Sequence, residues 1–297
     1  MKVFVTGATG FIGSAVVKEL IGAGHEVLGL ARSDAGAASV VAAGAEVHRG
    51  SLEDIDSLTR GALAADGVIH TAFNHDFSKL AENCEAERRG LEALGAALES
   101  SDRPLVVTSG VALLAPGRVA REDDVRASRP AFPRVPEETV ASLAARGVRA
   151  SVVRPAPSVH GDGDHGFVPR LIGIARERGV SAYVGDGLNR WAAVHRFDAA
   201  HLYRLALEKA HAGARYHAVA EEGVPFREIA SVIGRRLNLP VVSISTEKAN
   251  EHFGFLGVFA AMDIAASSQR TRELLDWQPA GPDLLADIDQ PGYYAHS

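Results

Sequence analysis

The feature that most restricts this chain lies at its start. In "VFVTGATGFIGSAVV", residues 3 to 17, an apolar β-branched run meets glycines at Gly7, Gly10 and Gly13 and then an apolar helical pattern. A strand that ends at Thr6 and turns at once into a helix needs glycine where the turn is tight and where helix and backbone come close. The first amides of such a helix have no intrahelical partner and suit a pyrophosphate. The spacing is GxxGxxG rather than GxGxxG, yet the geometry it serves is the same. A purely structural turn is the alternative reading; a second strand at the right distance favours a dinucleotide site.

The alternation continues. Residues 3–6, 26–31, 46–49, 67–71, 105–108 and 150–154 read as strands, and residues near 11–23, 53–64, 77–100 and 137–146 as helices between them. That order predicts an α/β fold: a doubly wound parallel sheet of the Rossmann kind, covered on both faces. The helix expected at 77–100 carries an apolar stripe in "LEALGAALES", which serves the core alone or the core and a homodimer seam. After Arg154 the texture turns rich in Gly, Pro and His, with helices expected near 198–212, 225–237 and 268–275. We read residues 1–154 as the dinucleotide-binding domain. Residues 155–297 form a smaller C-terminal substrate-binding part, lining a cleft over the strands' carboxyl ends, with the chain crossing back to the sheet.

The dinucleotide is discriminated at the end of the second strand, where an acidic residue would grip the ribose hydroxyls and repel a 2′-phosphate. Here the sequence is "GLARSD". Arg32 can hold a phosphate bidentately and Ser33 can add a hydroxyl donor, so NADP(H) is favoured over NAD(H). Asp34 is the competing residue, since a different loop path would present it to the ribose.

Composition narrows the partners. A net charge of −6, from 31 Lys and Arg against 37 Asp and Glu, with no block of like charges, argues against nucleic acid and anionic membrane surfaces. The sole cysteine, Cys84, rules out an internal disulfide and suits a reducing compartment. No run approaches the roughly 18 to 20 apolar residues of a membrane span. The expectation is a cytoplasmic protein acting on a small-molecule substrate.

With these motifs in place, the chain resembles the short-chain dehydrogenase/reductase superfamily, in the extended or atypical branch that holds the NAD(P)-dependent epimerase/dehydratase-like proteins. The resemblance rests on "TGATGFIG", "GVIHTAF" at 67–73, "VVTSG" at 106–110, "VRASVVRPAPSVHG" at 148–161, "GDGLNRWAAVHRFDAA" at 185–200 and "TRELLDWQP" at 271–279. It implies pyrophosphate contacts at Thr9, Gly10, Phe11 and Ile12, adenine contacts near Ser51 and Leu52, and ribose contacts along Thr71, Ala72 and Phe73. It also implies cofactor contacts at Thr108 and, beside the nicotinamide, at Pro155, Ala156 and Ser158.

One departure bears on chemistry. Family members use a Ser, a Tyr and a Lys four residues after that Tyr; here none of the tyrosines, at 183, 203, 216, 293 and 294, precedes a Lys by four. The expected segment reads "SRPAFPRVPEE", where Phe132 could fill the ring's space and Arg134 supply a cation, but neither can donate a proton at neutral pH. The family's serine corresponds to Ser109 or, in a stricter alignment, to Gly110. Either another group is the acid, or the substrate needs none at oxygen (an iminium or an activated alkene), or no reaction occurs. Candidate acids are His75, after the fourth strand with Asp76 beside it, and His160, with His165 following. Loop capping and turn packing are their structural alternatives. "HGDGDH" has metal-ligand residue types but no spacing that argues for a metal, and none is expected. Asn189, Arg190 and Trp191 could grip an anionic or planar substrate or form an ordinary turn. His195 reads as a loop brace, Asp198 as the N-cap of the following helix, and Trp277 as a helix terminator. These features favour an atypical NADPH-dependent reductase of a small carbonyl, imine or activated alkene. A non-catalytic NADP(H) sensor is the runner-up, and a sugar-nucleotide epimerase or dehydratase, which also leans on the Tyr, ranks third.

Overall fold

In the computed structural model, described for residues 1–112, 114, 117–126, 133–209 and 211–295, the first half folds as alternating strands and helices. Strands β1 (Lys2–Thr6), β2 (Glu26–Ala31), β3 (Glu46–Arg49), β4 (Gly67–His70), β5 (Pro104–Thr108) and β6 (Arg149–Pro155) alternate with helices α1 (Phe11–Gly22), α2 (Asp34–Ala42), α3 (Ile55–Leu63), α4 (Leu80–Leu98) and α5 (Pro136–Ala145). Beyond them lie β7 (Ser158–His160), α6 (Phe167–Arg178), β8 (Ser181–Val184), β9 (Arg190–His195), α7 (Arg196–Glu208), β10 (Arg215–Ala218), β11 (Glu221–Pro225), α8 (Phe226–Leu237) and β12 (Val241–Ile244).

The central sheet has seven parallel strands in the order β10-β6-β5-β4-β1-β2-β3. Strand β1 is central, with Val3 opposite Val27 on one side and Gly67 on the other. Its side chains alternate between two cores, as a strand's period of two requires. Val3 and Val5 pack with α1 and α7, whereas Phe4 faces Leu58, Leu91, Leu94 and Leu143 on the α3–α4–α5 side. Both faces are covered, which is why the inner strands β1, β4 and β5 read as continuous apolar runs. The stripe of α4 is engaged in that second core: Leu91, Leu94 and Leu98 are fully buried.

After β6 the chain builds a smaller unit from a three-stranded sheet, β11-β9-β7, and a parallel pair, β12-β8. It also returns to the main sheet, because β10 pairs with β6 and α7 packs on α1. Helices α2 and α6 and the short strands β7 to β12 go beyond the elements expected from the sequence. The segment expected as one helix from residue 77 opens with a 3-10 turn, Phe77–Lys79, capped by Asp76, whose Oδ1 accepts from the Ser78 amide at 3.1 Å. Among the described residues no helix is long and apolar enough to cross a membrane.

Candidate active site

The strand order reverses between β1 and β4, so their carboxyl ends open a crevice at the sheet's switch point. Gly7 stands at φ +71°, and a Cβ there would come within 2.7 Å of Thr71 Oγ1 and 2.8 Å of the Ala72 amide nitrogen. A Cβ on Gly13 would lie 1.9 Å from the Gly7 carbonyl oxygen, so only glycine lets α1 seat on the turn. Gly10 donates its amide to the Gly7 carbonyl at 2.9 Å and caps α1 without a side chain, and no acidic residue sits in that helix's first turn. Thr71 locks the two strand ends together, its hydroxyl donating to the Thr6 carbonyl at 2.8 Å. Thr9 is exposed and Phe11 and Ile12 are half-buried beside these amides. This is a cradle that a Cβ would fill, next to uncapped amides, and it fits a dinucleotide pyrophosphate.

At the end of β2 the three residues "RSD" take separate paths. The Ser33 hydroxyl accepts from the Gly36 amide at 3.1 Å and so caps α2. Asp34 is held by Arg49, Nη2 to Oδ1 2.6 Å. Arg32 is exposed and makes no ion pair or hydrogen bond among the described residues. Ser51 and Leu52 are half-buried after β3.

The edge formed by β4, β5 and β6 is a chain of paired side chains. His70 is fully buried, and burial, reinforced by Arg134, pushes it down to about 3. It is therefore neutral, and its Nδ1 bonds the Thr6 hydroxyl at 2.9 Å. Its Nε2 stands 3.9 Å from Glu87, which for a neutral ring is a contact rather than an ion pair. Glu87, on the buried face of α4, is clasped by Arg134, whose Nε lies 2.7 Å from Oε2 and whose Nη2 bonds Oε1. Burial lifts the Glu87 carboxyl above its usual range while Arg134 opposes the lift. Arg134 Nη2 also donates to the Thr108 carbonyl at 3.1 Å, and the guanidinium lies 4.5 Å from the Phe73 ring centroid. His75, at the rim, meets the same ring edge-on at 5.2 Å. Its pKa is held below the ordinary value by burial and by Arg134. Phe132, the ring expected in this segment, lies outside the described residues.

Thr108 donates to the His70 carbonyl at 2.7 Å, so the Tyr203 hydroxyl, also 2.7 Å away, is the donor to Thr108 Oγ1. That hydroxyl ties the sheet to α7 rather than facing the crevice. Ser109 donates to Glu137 Oε1 at 2.8 Å. Glu137 is held in turn by Arg154, which is fully buried in β6 and donates from Nε at 2.9 Å. Burial would raise the Glu137 carboxyl, but the bonds and charge of Arg154 hold it below the usual range. Arg154 further donates to the Glu122 and Asp124 carbonyls and to His217 Nε2 at 3.2 Å. His217, pushed down to about 4 by burial and Arg154, donates from Nδ1 to the Ser267 carbonyl.

From the C-terminal part, Pro155, Ala156 and Ser158 are buried at the end of β6 and in β7, and the Ser158 hydroxyl has no partner among the described residues. His160 is fully buried, bonded through Nδ1 to Asp287 at 2.8 Å and edge-on to His195 at 5.5 Å. Tyr293 joins it, taking the Gly161 amide and donating to Asp287, so His160 anchors the C-terminal segment. Arg196 lies 4.6 Å from the Phe11 ring centroid and donates to the Asp162 carbonyl and to Ser14 Oγ, while His165 meets Phe11 edge-on at 5.7 Å. The loop between β7 and α6 thus lies against the first turn of α1. Within it Asp164 accepts the Gly166 amide, and burial pushes its pKa up to about 6. No three His, Cys, Asp or Glu side chains converge as a metal site among the described residues.

Of the two readings of residues 189–191 the structure matches the ordinary turn, and the N-cap expectation for Asp198 fails. The Asn189, Arg190 and Trp191 trio is structural: Trp191 is fully buried and bonded to the Phe259 carbonyl, Arg190 is paired with Asp263, and Asn189 donates to the Ala260 and Met262 carbonyls. Asp198 is not the N-cap of α7, which begins after His195; its carboxylate accepts the Ala280 and Gly281 amides instead. Glu87, Glu137, Arg154, Asp164 and Arg196 escaped the sequence reading. The signal for Arg154 was a charge inside the apolar run "SVVRP", which demands a buried partner.

A glycine cradle at the switch point of a doubly wound sheet defines the class: a dinucleotide-binding α/β protein. The chain belongs to the NAD dependent epimerase/dehydratase family, whose family model matches residues 3–220. It is 50% identical to an uncharacterised protein of Schizosaccharomyces pombe over 295 residues, 99% of this chain and 100% of that one. It is 27% identical to 4-hydroxy-2-methyl-3-oxo-4-farnesyl-3,4-dihydroquinoline-1-oxide ketoreductase of Stigmatella aurantiaca, over 86% of this chain and 80% of that one. The fold matches dTDP-glucose 4,6-dehydratase (DesIV) from Streptomyces venezuelae, solved with NAD, at a TM-score of 0.77, with 20% identity and coverage of 99% and 97%.

Proposed function

We propose that this protein is an NADPH-dependent reductase of a small organic carbonyl, imine or activated alkene that works without the Tyr/Lys acid. The observation that carries this reading is a dinucleotide cradle opening beside an edge that still presents a cation and a titratable ring, Arg134 and His75, on Phe73. The distant ketoreductase relative is in keeping with a reductive role. When bound, the cofactor supplies a hydride, and the protein's task is to orient, shield and neutralise. Gly7, Gly10 and Gly13 admit the pyrophosphate to the amides of Phe11 and Ile12, and Thr9 flanks it. Arg32 takes the 2′-phosphate, with Asp34 drawn away by Arg49. Thr71, Ala72 and Phe73 line the riboses, and Pro155, Ala156 and Ser158 wall the nicotinamide. His75 delivers the proton, and Ser109, held by Glu137, positions the acceptor.

A second reading rests on a specific observation: Ser109 is already bonded to Glu137, Glu137 to Arg154, and Thr108 to the His70 carbonyl and Tyr203, as a binding-only sensor would allow. Titrating the purified protein with NADPH and then offering ketones, imines and enones separates the two. NADPH oxidation with at least one acceptor class supports the reductase. Tight binding with no oxidation across the panel supports the sensor.

A further inference from the structure

At the carboxyl edge of β4 and β5 the Arg134 guanidinium is fixed on three sides. Nε and Nη2 clasp the buried Glu87, Nη2 also holds the Thr108 carbonyl, and the Phe73 ring lies against its face. Nη1 has no partner among the described residues. A rigid guanidinium whose Nη1 is unpaired among the described residues, on the strand ends that flank the crevice, is a preorganised hydrogen-bond donor.

Its charge balance restricts what it can hold. Glu87 cancels the formal charge of Arg134, so the pair supplies no net charge to draw in a charged substrate; it supplies a directed N–H donor whose bond strengthens as negative charge grows on the oxygen it holds. A guanidinium cannot surrender a proton. The oxygen it holds must therefore keep its charge until a proton reaches some other atom. The alkoxide of a simple ketone has to be protonated on that same oxygen, whereas the enolate of a conjugated carbonyl takes its proton at carbon.

Resting on the reductase reading above, we propose that Arg134 Nη1 is the oxyanion-binding group of this site, and that the substrate is an uncharged α,β-unsaturated ketone or aldehyde reduced at its C=C bond. The substrate's β-carbon accepts the hydride supplied by the reduced nicotinamide, and the C=C electron pair shifts to leave the charge on the carbonyl oxygen at Nη1. The α-carbon then takes one proton, from His75 or water. The products are the saturated carbonyl compound and the oxidised cofactor.

The test compares 2-cyclohexen-1-one and a 2-alkenal with cyclohexanone and a saturated aldehyde as acceptors for NADPH, in wild type, Arg134→Gln, Arg134→Lys and the double variant Arg134→Gln with Glu87→Gln. The lysine and double variants avoid leaving Glu87 unpaired in the core. A second readout needs no turnover: with NADP+ present, 4-nitrophenol serves as an enolate mimic whose ionisation is followed by absorbance. The proposal expects enones to be preferred, and each Arg134 variant to lose on the order of 100-fold in enone turnover while NADPH binding stays within about twofold. It also expects wild type to favour the bound phenolate, with that preference gone in the lysine and double variants. Turnover of saturated carbonyls alone, or a phenolate titration indifferent to Arg134, overturns the role of Arg134 and leaves the reductase reading standing. No NADPH consumption with any acceptor overturns both.

Discussion

The two sides of the crevice are built on opposite plans. Around β1 and β2 it is backbone that faces the crevice: the glycine turn leaves the first amides of α1 uncapped, and Thr9 and Arg32 stand exposed. Around β4, β5 and β6 the side chains answer one another. Thr6 is bonded to His70, Arg134 to Glu87, and Ser109 to Glu137 and through it to Arg154. The first side presents open backbone, while the second is largely neutralised by its own pairs; in the proposed reaction only Arg134 Nη1 and His75 are left there to act. A glycine cradle of this kind needs little beyond backbone geometry, so on the proposed reading cofactor binding does not depend on the proton-handling side chains of the paired side.

The sharpest way to break this contrast is to cut the paired side. Arg154→Met leaves Glu137 as a buried carboxylate without its cation and is expected to destabilise the fold by about 3 to 5 kcal/mol in urea denaturation. Adding Glu137→Leu should recover most of that loss, since an apolar pair can replace a buried ion pair. On the open side, Gly13→Ala drives a Cβ into the Gly7 carbonyl and should weaken NADPH binding on the order of 100-fold, read by fluorescence titration.

Acid probes the paired side again. His70 and His217 have folded pKa values lowered to about 3 and about 4, so the unfolded chain takes up protons first as pH falls below about 6.5. Their contribution is complete above that value and is lost on acidification towards about 4 and then 3. Linkage puts the loss at roughly 2 kcal/mol for each histidine by pH 5, seen as a lower urea midpoint than at pH 7. Arg32→Ala is the smallest change, about tenfold weaker NADPH binding with NADH unaffected, as expected for one charge-assisted contact. Equal weakening of both cofactors would show that Arg32 does not discriminate them.

The open side was legible in the sequence and the paired side was not, for a physical reason. Gly7, Gly10 and Gly13 act through local backbone geometry, which spacing displays directly. Glu87, Glu137 and Arg154 act through contacts between residues 17 and 47 positions apart, and nothing local marks Glu87 as facing inward on α4. The same holds for the fold. Strands β1, β2, β4 and β5 are apolar runs buried on both faces, but the edge strand β3, "EVHR", is exposed at both ends, α2, "DAGAASVVA", lacks an amphipathic stripe, and β10, "RYHA", joins the sheet on four residues with no apolar run. Asp198 looked like an N-cap because caps are local; its actual partners are amides 82 and 83 residues away.

Whether the open side serves chemistry or only binding is decided most directly by following the label from NADPH carrying deuterium at both C4 positions, under single turnover with conjugated and saturated carbonyl acceptors, by mass spectrometry. The reductase account predicts one deuterium in the product and oxidised cofactor in equal amount. Full occupancy by NADPH with all of the deuterium retained on the cofactor, for every acceptor, would contradict it.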